Sequence, residues 1–183
     1  MHIEELHPTD GARIDAVAEI LFVSFRDLSP DYLPTVASAR DAVVEGFGEG
    51  RFSRVLLDDD DRVLGWAGGE HNYGFLWELH PLVVSPAARR RGCGRMLVRD
   101  VVREVAARGG LTLQVSTSDE TDRTNLYGRD LYADPLAALR GMRSTGEHPI
   151  DFWMRVGFTP IGVMPDAEGP GKPSIYFAMR VTP

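Results

Sequence analysis

The segment Val83-Val84-Ser85-Pro86-Ala87-Ala88-Arg89-Arg90-Arg91-Gly92-Cys93-Gly94-Arg95-Met96-Leu97 places three arginines and two glycines between an apolar strand and an amphipathic helix. Glycines at that junction let the backbone approach a ligand closely. The free N–H groups of the first helical turn point outward there, with the positive end of the helix dipole behind them. Such a junction suits a phosphate or a diphosphate. It differs from the dinucleotide fingerprint, which needs a third glycine where Leu97 stands, and from a Walker A loop, which needs Gly-Lys-Ser/Thr. Taken alone, the same residues also fit a tight βα turn with solvated arginines.

Downstream of the loop, Leu97, Val101 and Val105 form one apolar row with Val98, Val102 and Ala106 beside it, while Arg95, Arg99 and Arg103 occupy the opposite face. Gly109-Gly110 stop this helix. Leu111, Leu113 and Val115 then alternate with polar residues as a half-buried strand, so the unit is β-loop-α-β with parallel outer strands. Upstream, a strand from about Phe75 to Val84 contains Pro81, which has no N–H to donate, and this predicts a break in its pairing. Further upstream come a strand at Ile3 to Leu6, a helix from Arg13 to Phe25 with Asp10 as a plausible N-cap, and a helix from Pro34 to about Val44. Strands at Phe52 to Leu57 and Val63 to Gly69 are joined by Asp58-Asp59-Asp60-Asp61, a run suited to a hairpin turn.

After Ser116 some 30 residues, about 117–147, form a long insertion, with a short helix signalled by Asp134-Pro135. A helix from about Pro149 to Val156 is ended by Gly157. The strands Pro160 to Met164 and Ser174 to Arg180 close the chain. The order is β-α-α-β-β-β-α-β-α-β-β, mixed α/β, in one domain spanning 1–183.

The chain of 183 residues is 43% apolar and 26% charged, the make-up of an ordinary globular domain. At this length folding hides roughly 70% of the unfolded surface, so no disulfide or structural metal is required, and the single Cys93 has no intrachain partner. With 20 basic residues against 27 acidic ones the net charge is -7, which argues against nucleic acid and suits a cationic ligand. The acidic start and the lack of a long apolar run argue against a secretory signal or a membrane span and imply a cytoplasmic protein. Five scattered histidines without ligand spacing imply no metal.

Arg89-x-x-Gly92-x-Gly94 resembles the acyl-CoA diphosphate loop of the Gcn5-related N-acetyltransferase (GNAT) family, and the order of elements matches that family from end to end. Phe152-Trp153-Met154-Arg155-Val156-Gly157-Phe158 resembles its second signature, an aromatic helix closing in Gly-Phe. The resemblance implies a GNAT fold: a twisted mixed sheet of about seven strands, splayed between the fourth and fifth, with helices on both faces. It also implies acetyl-CoA as co-substrate, held by Arg89, Arg90, Arg91, Gly92, Cys93, Gly94 and Arg95 at the diphosphate, by the backbone of Leu82, Val83 and Val84 along the pantetheine arm, and by Trp153 of the second signature. An amine attacks the thioester directly, a backbone N–H such as that of Val83 steadies the oxyanion, and a base removes the amine's proton through water.

Glu78 is the first candidate base and His80 the second, since a two-residue period puts both on one strand face with Leu82. A solvated carboxylate and a structural histidine are the plain alternatives. Trp153 departs from the family, whose usual tyrosine there is thought to protonate the departing thiolate; an indole cannot. A thiol of pKa near 8.5 leaves as thiolate at a cost of roughly 2 kcal/mol at pH 7. Tyr127 or Tyr132 in the insertion is a conceivable substitute. Cys93 reads as packing rather than as an acyl carrier.

A narrower resemblance, to aminoglycoside 6'-N-acetyltransferase-like proteins, rests on Trp77-Glu78-Leu79-His80-Pro81-Leu82-Val83-Val84, Asp130-Leu131-Tyr132, His148-Pro149 and the run from Gly162 to Pro173. It implies a polycationic small-molecule amine as acceptor, and Glu70, Glu78, Asp119, Glu120 and Asp122 are the acids available to draw it in. A protein or peptide amine is an alternative acceptor, and a non-catalytic acyl-CoA sensor is an alternative function. Homodimers are common in such families, and one is an option here.

Overall fold

The structure, a computed structural model, describes residues 1–26 and 33–181. They fall into two compact units, the described residues up to Leu113 together with Val181, and residues 114–180.

The first unit opens with β1 (His2–Glu5), α1 (Gly11–Phe25) and α2 (Val36–Glu45). The side chain of Asp10 accepts from the Arg13 N–H and caps α1, as its position predicts. Thr35 and Ser38 form a reciprocal capping box on α2. Next comes the meander β2 (Arg51–Leu57), β3 (Val63–Tyr73) and β4 (Leu76–Val84), ordered β1-β2-β3-β4 and antiparallel throughout. The β2–β3 turn is held by Asp58 Oδ1, which accepts from the amides of Asp60 and Arg62. Ile14, Val17, Ala18 and Leu21 of α1 and Ala39 and Val43 of α2 bury one sheet face, closing over Val55, Trp66 and Val83. Each large side chain hidden this way contributes about 1.5–3 kcal/mol.

On the other face lies α3 (Cys93–Ala107), whose Leu97, Val98, Val101 and Val105 are buried. An ion pair fixes its azimuth. Arg54 of β2 donates to Asp100 of α3 at 2.6 Å, and Arg103 donates to the same carboxylate at 2.9 Å. After Gly110 the amides of Leu111 and Thr112 donate to the Phe75 carbonyl, so β5 (Thr112–Ser118) sets out beside the start of β4.

Pro81 does break the pairing, and the break takes the form of a bulge on the β3 side. Leu79 faces Gly69 and Leu82 faces Ala67, so His80 and Pro81 together oppose the single residue Gly68, across a cis His80–Pro81 peptide. This corrects the simple two-residue reading. The extra residue reverses the side-chain phase, and Glu78 shares its sheet face with Val83 and Trp66 while Leu82 turns to the α3 side with Leu79 and Trp77.

The second unit holds the rest of β5, α4 (Pro135–Arg140), α5 (Ile150–Arg155), β6 (Thr159–Met164) and β7 (Ser174–Arg180), with strand order β5-β7-β6. Asp134 caps α4 through the Ala137 N–H, as its Asp-Pro signal predicts. β6 and β7 pair antiparallel from Thr159↔Ala178 to Met164↔Ser174.

Candidate active site

The arginine loop leaves β4 at Val84, makes one 3-10 turn over Pro86–Ala88 and enters α3 through Gly92. Gly92 is the N-cap at φ 87°, a left-handed conformation that costs a side chain dearly, and nothing lies within 4 Å of where its Cβ would be. The first intrahelical bond runs from Met96 N–H to Gly92 C=O. The amides of Cys93, Gly94 and Arg95 therefore lie ahead of the helical ladder, with no capping side chain over them. Arg90, itself at φ 60°, is exposed, as are Arg91 and Arg95.

Arg89 does something else. Its guanidinium donates to the Val84 carbonyl at 3.3 Å and to Ser24 Oγ at 3.2 Å, tying the loop to the end of β4 and to α1. These two bonds, both to neutral acceptors, shape the loop. Cys93 is buried and free, a packing residue under the loop.

Along β4 the peptide groups alternate between edges. Ser85 N–H donates to Leu64 C=O at 2.8 Å, and Val83, two residues back, sits opposite Trp66. In an antiparallel ladder this makes Val83 and Trp66 a hydrogen-bonded pair, so the Val83 N–H is taken up by β3. Leu82 and Val84 present their amides on the edge of β4 away from β3.

Glu70 and Glu78 form a cross-strand pair, side by side on one face. Glu70 is bridged to Arg51 at 2.8 Å, and Glu78 Oε2 accepts from Asn72 Nδ2 at 3.1 Å. The Arg51 charge offsets part of the repulsion between the two carboxylates. His80 is exposed on the bulge, one residue beyond Leu79.

In the second unit the acids expected as one cluster take different roles. Asp119 is wholly buried, and its carboxylate accepts from the amides of Thr121, Arg123 and Thr124 and from Thr124 Oγ1 at 2.7 Å. It is the organiser of the 119–124 turn, and no oxygen faces an acceptor. The reason is local: an aspartate followed by a polar run folds its own backbone around itself. Asp122, exposed at φ 56°, and the half-buried Glu120 ride on that turn.

Sequence reasoning missed His148 as an organiser. It is buried, its Nε2 faces the Ser118 carbonyl at 3.1 Å, and its Nδ1 accepts from Ile150 N–H at 3.3 Å. A carbonyl only accepts, so the ring is the neutral Nε2–H tautomer, linking the end of β5 to the start of α5. Burial holds its pKa below the ordinary histidine value, and the Ser118 bond opposes this in part. The unfolded chain, with a histidine near 6.5, therefore takes up the proton first as pH falls. The stability that His148 contributes is whole above about pH 6.5 and declines as pH drops toward the folded pKa. Melting curves between pH 7.5 and 5.5 are expected to fall more steeply for the natural chain than for His148→Gln; parallel curves would remove His148 from this account.

Trp153 is also buried, set edge-on between Phe152 at 4.9 Å and Phe158 at 5.4 Å between centroids. Its indole N–H has no acceptor among the described residues. Tyr127 is half-buried and Tyr132 is exposed. The insertion is latched to the β6–β7 loop where Gly128 N–H donates to Gly171 C=O at 2.8 Å. A Cβ on Gly171 would meet Gly128 Cα at 3.0 Å, and Gly171 has φ 71°. Gly171→Val is expected to open this latch, read as faster hydrogen exchange at the Gly128 amide; unchanged exchange there would show that the latch yields without cost. Among the described residues no cluster of three His, Cys, Asp or Glu has metal-site geometry, and no helix is long and apolar enough to cross a membrane.

Residues 14–133 match the model of the acetyltransferase (GNAT) family. The chain belongs to that family. Comparison with curated proteins gives no match. Among solved structures, an aminoglycoside 6'-N-acetyltransferase complexed with coenzyme A is 30% identical over 100% of this chain and 98% of its own, with a TM-score of 0.90. The aminoglycoside 6'-N-acetyltransferase from Enterococcus faecium is also 30% identical, over the same shares, with a TM-score of 0.87. An aminoglycoside 6'-acetyltransferase type Ii is 28% identical over 100% and 99%, with a TM-score of 0.74. This chain thus has the GNAT fold of mixed α/β class and is an N-acetyltransferase whose acyl donor is acetyl-CoA.

Proposed function

We propose that this GNAT enzyme moves the acetyl group of acetyl-CoA to a primary amine of an aminoglycoside or a similar polycationic small molecule, acting as one catalytic domain in the cytoplasm. The observation that carries the reading is the pairing of an amide-lined α3 N-terminus with a β4 whose Leu82 and Val84 amides are turned from β3. Full-length likeness to aminoglycoside 6'-N-acetyltransferases supports the acceptor class.

In this reading the amides of Cys93, Gly94 and Arg95 hold the diphosphate, and Arg89 fixes the loop that presents them. The outer edge of β4 pairs with the pantetheine arm, and the Leu82 or Val84 N–H steadies the tetrahedral oxyanion. The amine, an ammonium ion at neutral pH, gives up a proton through water to Glu78, whose neighbour Glu70 adds negative charge for a cation. His80, exposed on the β4 bulge, is the second candidate. The amine nitrogen then bonds the acetyl carbon, the C–S bond breaks, and coenzyme A leaves as thiolate. A thiol of pKa near 8.5 leaves as thiolate without an acid at a cost of roughly 2 kcal/mol at pH 7. Glu120 and Asp122 are the remaining acids for the acceptor. Inactivation of an antibiotic is the physiological consequence of this reaction, and a homodimer is compatible with it.

The test is thiol release from acetyl-CoA by the purified protein with a panel of aminoglycosides, linear polyamines and peptides. Release with the aminoglycosides alone is the expected result. Release with peptides alone would move the acceptor to a protein amine. Trp153 favours a second reading, an acyl-CoA sensor; that reading predicts a raised melting temperature with acetyl-CoA and no release with any acceptor.

A further inference from the structure

The cross-strand carboxylates Glu70 and Glu78 are each fixed, and by partners of different kinds. Arg51 holds Glu70 through Nη2 at 2.8 Å and is itself anchored through Nη1 to the Glu45 carbonyl at 2.8 Å. Asn72 holds Glu78, its Nδ2 donating to Oε2 at 3.1 Å. A guanidinium brings a carboxylate a full counter-charge, which competes with a proton for the same oxygens. A side-chain amide brings a directed bond and no charge. Glu70 is thus ion-paired, whereas the Asn72 bond orients Glu78 without neutralising it.

The backbone explains why Asn72 is available for this. His71 faces Trp77 and Tyr73 faces Leu76, so Asn72 is an extra residue with no partner across the β3–β4 ladder. Such a residue leaves the alternation of the strand, and its side chain is re-aimed. A carboxylate oxygen only accepts, so the amide is turned with its NH2 group on Glu78. Asn72 itself is exposed and Glu78 half-buried. The turn of the hairpin is fastened elsewhere. His71 Nε2 lies 3.0 Å from the Gly74 carbonyl, and the His71 ring packs on Trp77 with centroids 5.3 Å apart.

We infer that Asn72 is a positioning residue for acetyl transfer, holding the Glu78 carboxylate in the orientation from which it takes the acceptor's proton. The inference rests on the reading of Glu78 as general base. Proton transfer needs the accepting oxygen within hydrogen-bond reach of the water that carries the proton. A glutamate side chain turns about its χ bonds, and rotation about any of them moves its oxygens away from that water. A bond to Oε2 from the hairpin restrains them together. Asn72 touches neither the acceptor nor acetyl-CoA in this role; it acts through Glu78.

Steady-state rates and coenzyme A affinities of the natural chain, N72L, E78Q and N72L/E78Q test it, with acetyl-CoA and an aminoglycoside bearing a 6'-amine as substrates. Leucine is close to asparagine in size and cannot donate. N72L is expected to lower kcat about three- to tenfold, the effect of one neutral hydrogen bond, with coenzyme A affinity and Tm unchanged. Added to E78Q, the same substitution is expected to lower kcat no further, because the group that Asn72 orients no longer takes a proton. N72L as active as the natural chain would overturn the inference. So would a fall of equal size with and without E78Q, which marks a structural role, or a loss of coenzyme A affinity or Tm in N72L. In each of these cases a low rate for E78Q alone leaves Glu78 as the base. An E78Q rate equal to that of the natural chain, or no turnover by the natural chain, would defeat the reading of Glu78 and the inference with it.

Discussion

Glu78→Gln is expected to lower kcat/KM for acetyl transfer by about 10²-fold or more, with coenzyme A bound as tightly as before. The substitution keeps shape and the hydrogen bond from Asn72, since the amide oxygen of Gln accepts as a carboxylate oxygen does. It removes the one property a general base needs. The acceptor amine arrives protonated, and without a proton sink only its minor neutral fraction reacts. Raising the pH supplies that fraction from solution, so the deficit of the variant is expected to shrink as pH rises toward the amine pKa. Steady-state rates against pH for both chains, with coenzyme affinity measured alongside, read both effects. A variant as active as the natural chain at pH 7 would take the role from Glu78 and pass it to His80, one step along the bulge.

Asp119→Ala is expected to destabilise the fold by about 3 kcal/mol or more, because it strands the amides of Thr121, Arg123 and Thr124 and the Thr124 hydroxyl in a buried setting. For a chain of this size that corresponds to a fall in Tm of roughly 6–12 °C. Asp119→Asn keeps one accepting oxygen and is expected to fall between the two. The prediction opposes the sequence expectation, which grouped Asp119 with Glu120 and Asp122 as acids for a cationic acceptor. An unchanged Tm together with a raised KM for the acceptor would restore the binding role.

The elements were legible in the sequence wherever periodicity and capping agreed. The α1 stripe of Ile14, Val17, Ala18 and Leu21, the Asp10 and Asp134 caps and the Gly92 entry to α3 each have a local cause, and local causes can be read from a string. The Arg89 to Gly94 loop was legible for the same reason, and it carried the family with it. What escaped depends on register. Pro81 announced a break, but whether β4 would bulge and on which side depended on its partner strand, and that decided which face Glu78 shares and which edge the Val83 amide takes. Long-range acceptors escaped as well. The buried bond of His148 to Ser118 spans 30 positions, and no spacing rule connects them. The bond of Arg89 to Ser24 spans 65 positions, and nothing in the chain order shows that Ser24 lies within its reach.

The most direct test of acetyl transfer is mass spectrometry of the product formed from acetyl-CoA and an aminoglycoside bearing a 6'-amine, run beside the same compound with a 6'-hydroxyl. The account predicts one added acetyl on the 6'-amine compound, with an equivalent of free thiol, and no acetylation of the 6'-hydroxyl compound. Acetylation of neither, with acetyl-CoA recovered intact, would contradict it.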